Sequence, residues 1–496
     1  MRVLIFLLII FLNYFTSAQN RSSVWCFGDS AGIDFSSGIP LTFESGVDGR
    51  GSCVSLADEN GNLLFYAATM RYYASNTEMA TFVFDSTHTV MTNGDSIVGR
   101  LWYQELVAIP NPANDSTYYL FSISVTDTFG IVYSIVNMKQ NGGLGAVTVK
   151  NVELQGFGQV DCLNAIKHGN GRDWWIIFRE SEFFTGGSNN DWYSYLITPD
   201  SIQNYSVQSI GAQNRTNSGR ICFSPSGDKL VFTNLLGIIE LFYFDRCTGL
   251  LSNPVTIELD PGMAPYPFLW SCAFSPDGSK LYVTTNETTS YLYQYDLNAA
   301  NITASKDTIW LFNLFPYAIG GLKLAPDNKI YLSNVYYTQS VLYYPYADSM
   351  YNMYNMNLSV INQPDSLGAA CDFQPYSFYL GGKRTYLGLP NNPDYELGPF
   401  AGSICDTLTS LNEITEQNAI HIFPNPFFNK IAFQYPQHSK MKIKEATVFN
   451  LMGEMVLNKK VTVPLYEVDL SFLQKGVYFI SVKTEKNVFT KKIVKL

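Results

Sequence analysis

Charge is scarce in this chain: only 15% of its 496 residues are Asp, Glu, Lys or Arg. Histidine is scarcer still, with four in all. His421 and His438 lie in the last eighty or so residues, which leaves His88 and His168, each alone in a turn-like context and each read as a solvated loop residue. Histidine-based metal centres and Ser-His-Asp arrangements need partners that converge in space, and no spacing here suggests them. There is no C-x-x-C, so nothing points to Cys-bound zinc. There is no D-x-D-x-D-G loop either, so calcium has no motif to support it, and Asp34, Asp161, Asp173, Asp277, Asp327 and Asp372 read as turn caps. The Gly-rich HGNGRDWW, residues 168–175, opens no helix, which removes the phosphate-cradle reading. No cofactor is expected. Beyond the N-terminus no 18-residue apolar run occurs, so no transmembrane span is expected in the mature chain.

Aromatics, by contrast, are abundant, with 33 Tyr and 34 Phe. The N-terminus has its own pattern: Arg2, then the apolar run Val3 to Leu12, then Thr16-Ser17-Ala18 before Gln19. This is the layout of a secretion signal cleaved between Ala18 and Gln19. An exported chain meets an oxidising compartment, so its eight cysteines are expected to include some disulfides, with 105 pairings open. Charge divides the rest. Residues 419–496 hold 12 Lys against 5 acidic residues, net +7, whereas the whole chain is at −10, which leaves −17 for residues 1–418. Such an asymmetry marks a domain boundary near residue 410, and the acidic larger region argues against a nucleic-acid partner.

Within that larger region a phrase recurs: GRICFSPSGDKLVFTN, WSCAFSPDGSKLYVTTN and IGGLKLAPDNKIYLSN. Each is a strand, a tight turn and a second strand rich in β-branched and aromatic residues. Taking one turn residue per copy gives Glu59, Pro112, Gly169, Pro225, Pro276, Pro326 and Pro375, spaced 53, 57, 56, 51, 50 and 49 apart. A period near fifty with three or four strands per unit is that of a β-propeller. Seven blades are expected, with the N-terminal strands VWCFG and PLTFES completing the last one. The SPDGSKLY segment lacks the residue between Asp and Gly of a sialidase Asp-box, so it is read as a hairpin turn. Trp174, Trp175, Trp192, Trp270 and Trp310 are read mainly as filling between blades.

The phrases WCFGDSAGIDFSSGIPLTF, DENGNLLFYA, VMTNGDSIVG, QELVAIPNP, FDRCTGLLSNP and CDFQPYSFYLGGKRTYLGLPN occur in that order. Together, over residues 23–395, they resemble the propeller-like N-terminal region of large secreted proteins associated with gliding motility. This chain departs from those proteins in having no array of immunoglobulin-like modules and a different C-terminal module.

That module opens with AIHIFPNPFFNKIAFQYP and continues through ATVFNLMGEMVLNKK, YEVDLSFLQKGVYFISV and FTKKIVKL. Six or seven short alternating strands in so short a span predict a small β-sandwich. The order of phrases resembles the type A C-terminal sorting domain of the type IX secretion system. The matching positions are Pro424, Asn425 and Pro426, Gly453 and Glu454, Leu473, Gly476, Tyr478 and Phe479, and Lys491 and Lys492. The resemblance implies recognition by the outer-membrane translocon after passage through the periplasm, and then release or attachment at the cell surface.

The sequence thus predicts an all-β chain: a signal at 1–18, a seven-bladed β-propeller over 19–400, a linker over 401–418 and a β-sandwich sorting module over 419–496. The function it predicts is non-catalytic binding or adhesion outside the cell, towards a glycan or protein ligand. The alternative is an exported propeller enzyme, a hydrolase or lyase acting on polysaccharide.

Overall fold

The recurring phrase folds as a hairpin. In SPDGSK the Gly278 amide donates to the Ser275 carbonyl (2.9 Å) and the Lys280 amide returns to Ser275 Oγ (2.9 Å). The residue that turns the chain back must then adopt a left-handed conformation. Gly278 does so at φ +69°, Gly227 at +73° and, in the third copy, Asn328 at +62°. Glycine has no Cβ to clash there, and asparagine is among the few other residues that tolerate the region.

The computed structural model describes residues 20–71, 79–100, 102–125, 130–287, 289–314, 317–336, 350–406, 421–434, 443–450, 453–460, 466–484 and 488–496. The expected signal, its cleavage pair Ala18-Gln19, and residues 407–418 of the expected linker lie outside them. The chain divides into two units, Met1–Leu408 and Thr409–Leu496.

The first unit is built of antiparallel meanders. An opening run comprises β1 (Val24–Phe27), β2 (Asp29–Asp34), β3 (Leu41–Ala57), β4 (Leu63–Arg71) and β5 (Met79–Asp85). Five four-stranded sheets follow. They are β6 (Leu106–Pro110), β7 (Thr117–Ile123), β8 (Ile131–Asn137) and β9 (Ala146–Gln155); then β10 (Asn164–Lys167), β11 (Trp174–Arg179), β12 (Asn189–Ile197) and β13 (Ser206–Asn214). Next come β14 (Gly219–Phe223), β15 (Lys229–Asn234), β16 (Ile239–Asp245) and β17 (Leu250–Glu258); then β18 (Leu269–Phe274), β19 (Lys280–Thr285), β20 (Ser290–Asp296) and β21 (Asp307–Phe312). The fifth is β22 (Tyr317–Leu324), β23 (Ile330–Tyr336), β24 (Asn357–Ile361) and β25 (Phe373–Tyr379).

β3 of the opening run lies beside β6, and the first strand of each later sheet lies beside that of the next: β6, β10, β14, β18 and β22. Burial falls from the inside outward, since β18 (LWSCAF) and β19 (KLYVTT) are buried throughout whereas most of β21 is open. Strands covered on both faces read as continuous apolar runs, which is the pattern the phrase shows. Aromatics fill the space between sheets. Trp192 of β12 meets Phe232 and Phe242 of the next sheet edge-on at 5.7 and 5.2 Å. At the other end of the array Trp25 of β1 meets Tyr331 of β23 at 5.8 Å, and Val24 to Phe27 share a core with Leu358 and Val360 of β24. The N-terminal strands therefore close the propeller-like array.

The manner of closure corrects one expectation. The sheet β22 to β25 needs no N-terminal strand, and Pro375 lies inside its fourth strand rather than at a turn after a first one. The reversal comes earlier, at the 3-10 turn Gly368–Cys371 and the left-handed Asp372 (φ +51°). DFQPYSFY thus resembles a strand, turn and strand in sequence but runs on as one strand. The N-terminal strands form their own ladder: β1 pairs with β2, β2 with the leading half of β3, and the trailing half of β3 turns to pair with β4.

The second unit contains β26 (His421–Phe423), β27 (Lys430–Gln434), β28 (Ile443–Phe449), β29 (Met455–Lys460), β30 (Tyr466–Asp469), β31 (Gly476–Thr484) and β32 (Val488–Lys495). They make two sheets, β26-β27-β30 and β29-β28-β31-β32, around a core that includes Phe427, Ile431, Phe433, Val448, Val468, Ile480, Val482 and Ile493.

Candidate functional site

The first strands of the meanders enclose an axial cavity of about 450 Å³. Its wall takes residues from β10, β14, β18 and β22, and its rim includes Pro225, Pro276 and Pro326 of the recurring turns. The remaining side is filled by the chain itself. Residues 387–397, LGLPNNPDYEL, run beside the axis and lace the sheets together.

Asn391 is the hub of that segment. Its side-chain amide donates to the carbonyls of Leu106 (2.8 Å) and Leu163 (2.9 Å), its oxygen accepts from Gln104 Nε2 (3.1 Å), and its backbone amide donates to the Cys53 carbonyl (2.8 Å). Asn392 accepts from the Ser55 amide (2.9 Å), and the Tyr395 hydroxyl donates to the Ala108 carbonyl (2.8 Å). Close approach requires glycine at one crossing: a Cβ on Gly388 would stand 2.1 Å from the Gly51 carbonyl oxygen.

Beside this hub lies a buried ion pair. Asp161, with no exposed surface, accepts from the amides of Tyr103 (3.0 Å) and Gln104 (2.7 Å) and from Arg220 Nη1 (2.6 Å). The Arg220 guanidinium sits 5.1 Å from the ring centres of both Tyr103 and Trp270. A cation beside aromatic rings gains from their quadrupoles, and more so where it is largely desolvated.

Three further ionisable groups face the cavity. Lys323 Nζ donates to the Asn392 carbonyl (2.5 Å), and burial lowers its ammonium to about 8. Asp394 and Glu396 stand on the rim, where partial burial raises both carboxyl groups, Glu396 to about 7. Glu396 also accepts from the Arg21 amide (3.0 Å).

Deeper in the fold, Glu105 precedes β6 with no exposed surface, and burial raises it from 4.5 to about 7 although the Arg100 amide donates to it (2.9 Å). The native state therefore keeps a proton that the unfolded chain gives up. The contribution of this group to stability is fully present below about pH 4.5 and is lost as pH rises towards 7. Glu105→Gln should remove this slope, so that the variant gains a few kcal/mol on the parent between pH 4.5 and 7. Urea midpoints at pH 5 and 8 measure it, and parallel profiles for the two proteins would refute it.

Several residues singled out in the sequence lie elsewhere than expected. His168 is buried rather than solvated: its Nδ1 accepts from the Asn170 amide (3.0 Å) and its Nε2 lies 3.0 Å from the Cys247 carbonyl oxygen. His88 is half-buried, stacked on Phe43 and 3.2 Å from the Tyr66 hydroxyl. Asp277 caps its own turn, as Asp34 does, but Asp161 belongs to the axial ion pair instead. Trp174, Trp175 and Trp192 are buried between sheets as expected, Trp270 faces the axial cavity against Tyr103 (4.4 Å), and half-buried Trp310 packs on Phe373 (5.1 Å). Of the eight cysteines, Cys247 and Cys405 form a disulfide.

In the second unit, Asn425 ties the Pro424-Asn425-Pro426 turn to the last strand. Its Nδ2 donates to the Lys492 carbonyl (2.9 Å) and its Oδ1 accepts from the Val494 amide (2.9 Å). Gly453 turns at φ +77°, and Glu454 accepts from Asn450 Nδ2 (2.7 Å) across the same hairpin. Leu473 is buried, Gly476 opens β31, and the Tyr478 hydroxyl donates to the Gln474 carbonyl (3.0 Å). Phe479, Lys491 and Lys492 are exposed.

Sequence reading missed Lys323, Asn391, Asn392, Asp394 and Glu396. One signal for them was present: Tyr386, Leu387, Leu389 and Tyr395, all buried, interleave the Pro-rich stretch that reads as the end of the domain.

Among the described residues, no group of three or more His, Cys, Asp or Glu is placed to hold a metal ion, and no helix is long and apolar enough to cross a membrane. Residues 421–496 match the family described as the secretion system C-terminal sorting domain. The chain therefore carries a type IX sorting module, which implies engagement by that system's translocon and export to the cell surface or beyond. No curated protein matches the chain. A solved structure of a protein from Bacteroides uniformis described as a 6-phosphogluconolactonase is similar at 14% identity over 65% of this chain and 93% of its own, with a TM-score of 0.40. The β-propeller domain of Cps50 (Swd1) from Myceliophteria thermophila is similar at 10% identity over 63% of this chain and 93% of its own, with a TM-score of 0.38.

Proposed function

We propose that the first unit is a seven-bladed β-propeller that binds an extracellular glycan or protein segment at its axial cavity without transforming it. The blade count takes the two ladders of β3 as separate blades and adds the five four-stranded sheets. The second unit is a small β-sandwich, and a cleaved N-terminal signal takes the chain to the periplasm before the sorting module takes it across the outer membrane. The protein belongs with secreted, gliding-associated surface proteins of similar N-terminal sequence.

One observation carries the binding reading: the cavity is preformed and its amides are already engaged. Gln104, Asn164 and Asn391 are fixed by hydrogen bonds to strand carbonyls, with Trp25, Tyr103 and Trp270 beside them. Rigid pockets of mixed apolar and amide lining hold ligands at low ordering cost. A second reading, hydrolysis or lysis of polysaccharide, draws on the rim carboxyls Asp394, raised by burial, and Glu396, raised to about 7, because a carboxyl poised near neutrality such as Glu396 suits proton transfer.

One experiment separates them. The full chain recovered from the cell surface or medium is applied to glycan and peptide arrays, and each bound species is assayed for turnover. Saturable binding is expected, weakened at least tenfold by Lys323→Met, with the ligand recovered intact. Turnover that disappears in Asp394→Asn or Glu396→Gln would replace the binding reading with the enzymatic one. A chain ending at Asp406, made in the same cells, should stay in the periplasm; its normal display would reject the proposed route.

A further inference from the structure

Cys222 of β14 and Cys272 of β18 are 50 residues apart, on neighbouring first strands, and their Sγ atoms approach to 3.0 Å. The pairing follows from the pleat. Measured from the proline of each following turn, Cys222 stands three residues before Pro225 and Cys272 four before Pro276. Side chains alternate faces along a strand, so this one-residue offset turns one thiol towards the next sheet and the other back towards the previous one. Both then enter the same apolar seam, with Val231, Leu241, Leu281 and Val283. Both also line the axial cavity, so a small reagent can reach them in the folded protein.

We infer that Cys222 and Cys272 close a second disulfide in the exported protein, joining two adjacent sheets at the cavity wall. The bond forms by exchange with a small or protein disulfide. One thiol, deprotonated, attacks a sulfur of that disulfide and displaces a thiolate; the second thiol, deprotonated in turn, attacks the mixed disulfide and displaces the other. Two S–H bonds are lost and one S–S bond is gained. The two electrons reduce the donor disulfide, and its two thiolates take up the two protons. The sorting module takes the chain out of the cytoplasm, into surroundings where disulfides persist.

The test uses the full chain secreted from its cells, or the reduced chain equilibrated with oxidised glutathione. After unfolding without reductant and alkylation, four of the eight cysteines should react, and digestion should yield a peptide joining Cys222 to Cys272. Cys222→Ser should leave five reactive thiols, Cys272 among them. Six reactive thiols in the parent, with both Cys222 and Cys272 alkylated, would overturn the inference, and so would either of them found bonded to another cysteine. The mapping is made on the parent chain, so it stands whether or not the variant folds.

Discussion

Asp161→Ala is expected to lower the stability of the first unit by about 3–5 kcal/mol, the cost of leaving a buried charge without its partner. The Arg220 side chain is about 9% exposed and packs beside the Tyr103 and Trp270 rings, so little water reaches it to replace the carboxylate when that goes. The substitution also strips the acceptor from the Tyr103 and Gln104 amides. Gln104 in turn holds Ile221 and Asn391, so the loss spreads to the segment that laces the sheets. Replacing both partners, as Asp161→Leu with Arg220→Met, should recover much of the loss, because an apolar pair imposes no desolvation penalty. Urea unfolding followed by tryptophan fluorescence reads both effects. A cost below about 1 kcal/mol for Asp161→Ala would show that water reaches the guanidinium and that the pair is not sealed.

The Cys247→Ser, Cys405→Ser double variant should be weakened by a comparable amount. The disulfide spans 158 residues, for which chain entropy alone gives a limit of about 5 kcal/mol. Its location supports a value near that limit. Residues 398–406 are held on two neighbouring turns: on the β16–β17 turn by the Cys247 sulfur and by Arg246 Nη2 donating to the Gly398 carbonyl (2.6 Å), and on the β10–β11 hairpin by the Phe400 amide donating to the Gly169 carbonyl (2.7 Å). Gly169 has no room for a side chain, since a Cβ there would stand 2.4 Å from Cys405 Sγ. Cutting the bond removes the covalent tie beyond the end of the 387–397 segment. The variant should unfold at lower urea and be cleaved between residues 398 and 406 by a protease that spares the parent. Equal midpoints and equal resistance would mean that the backbone contacts suffice alone.

What the sequence alone determined is what short range encodes. The strand, turn and strand of the fifty-residue phrase follow from apolar runs around a residue able to turn left-handed, and Gly227, Gly278 and Asn328 do turn there. The sorting module is legible for the same reason: its turns at Pro424 to Pro426 and at Gly453 are local events between short strands. Period counting went astray at Pro375, where a strand interior carries the residues of a turn and only the path of the chain distinguishes them. The axial site was decided by tertiary structure alone. Asn391 reaches Leu106 and Leu163 across 285 and 228 residues, and Gln104 reaches Asn391 across 287. Those contacts have no period and leave no pattern in neighbouring residues. They arise because stacking the sheets brings their first strands to one axis, where any polar group from the closing segment must find its partner on a strand far away in the chain.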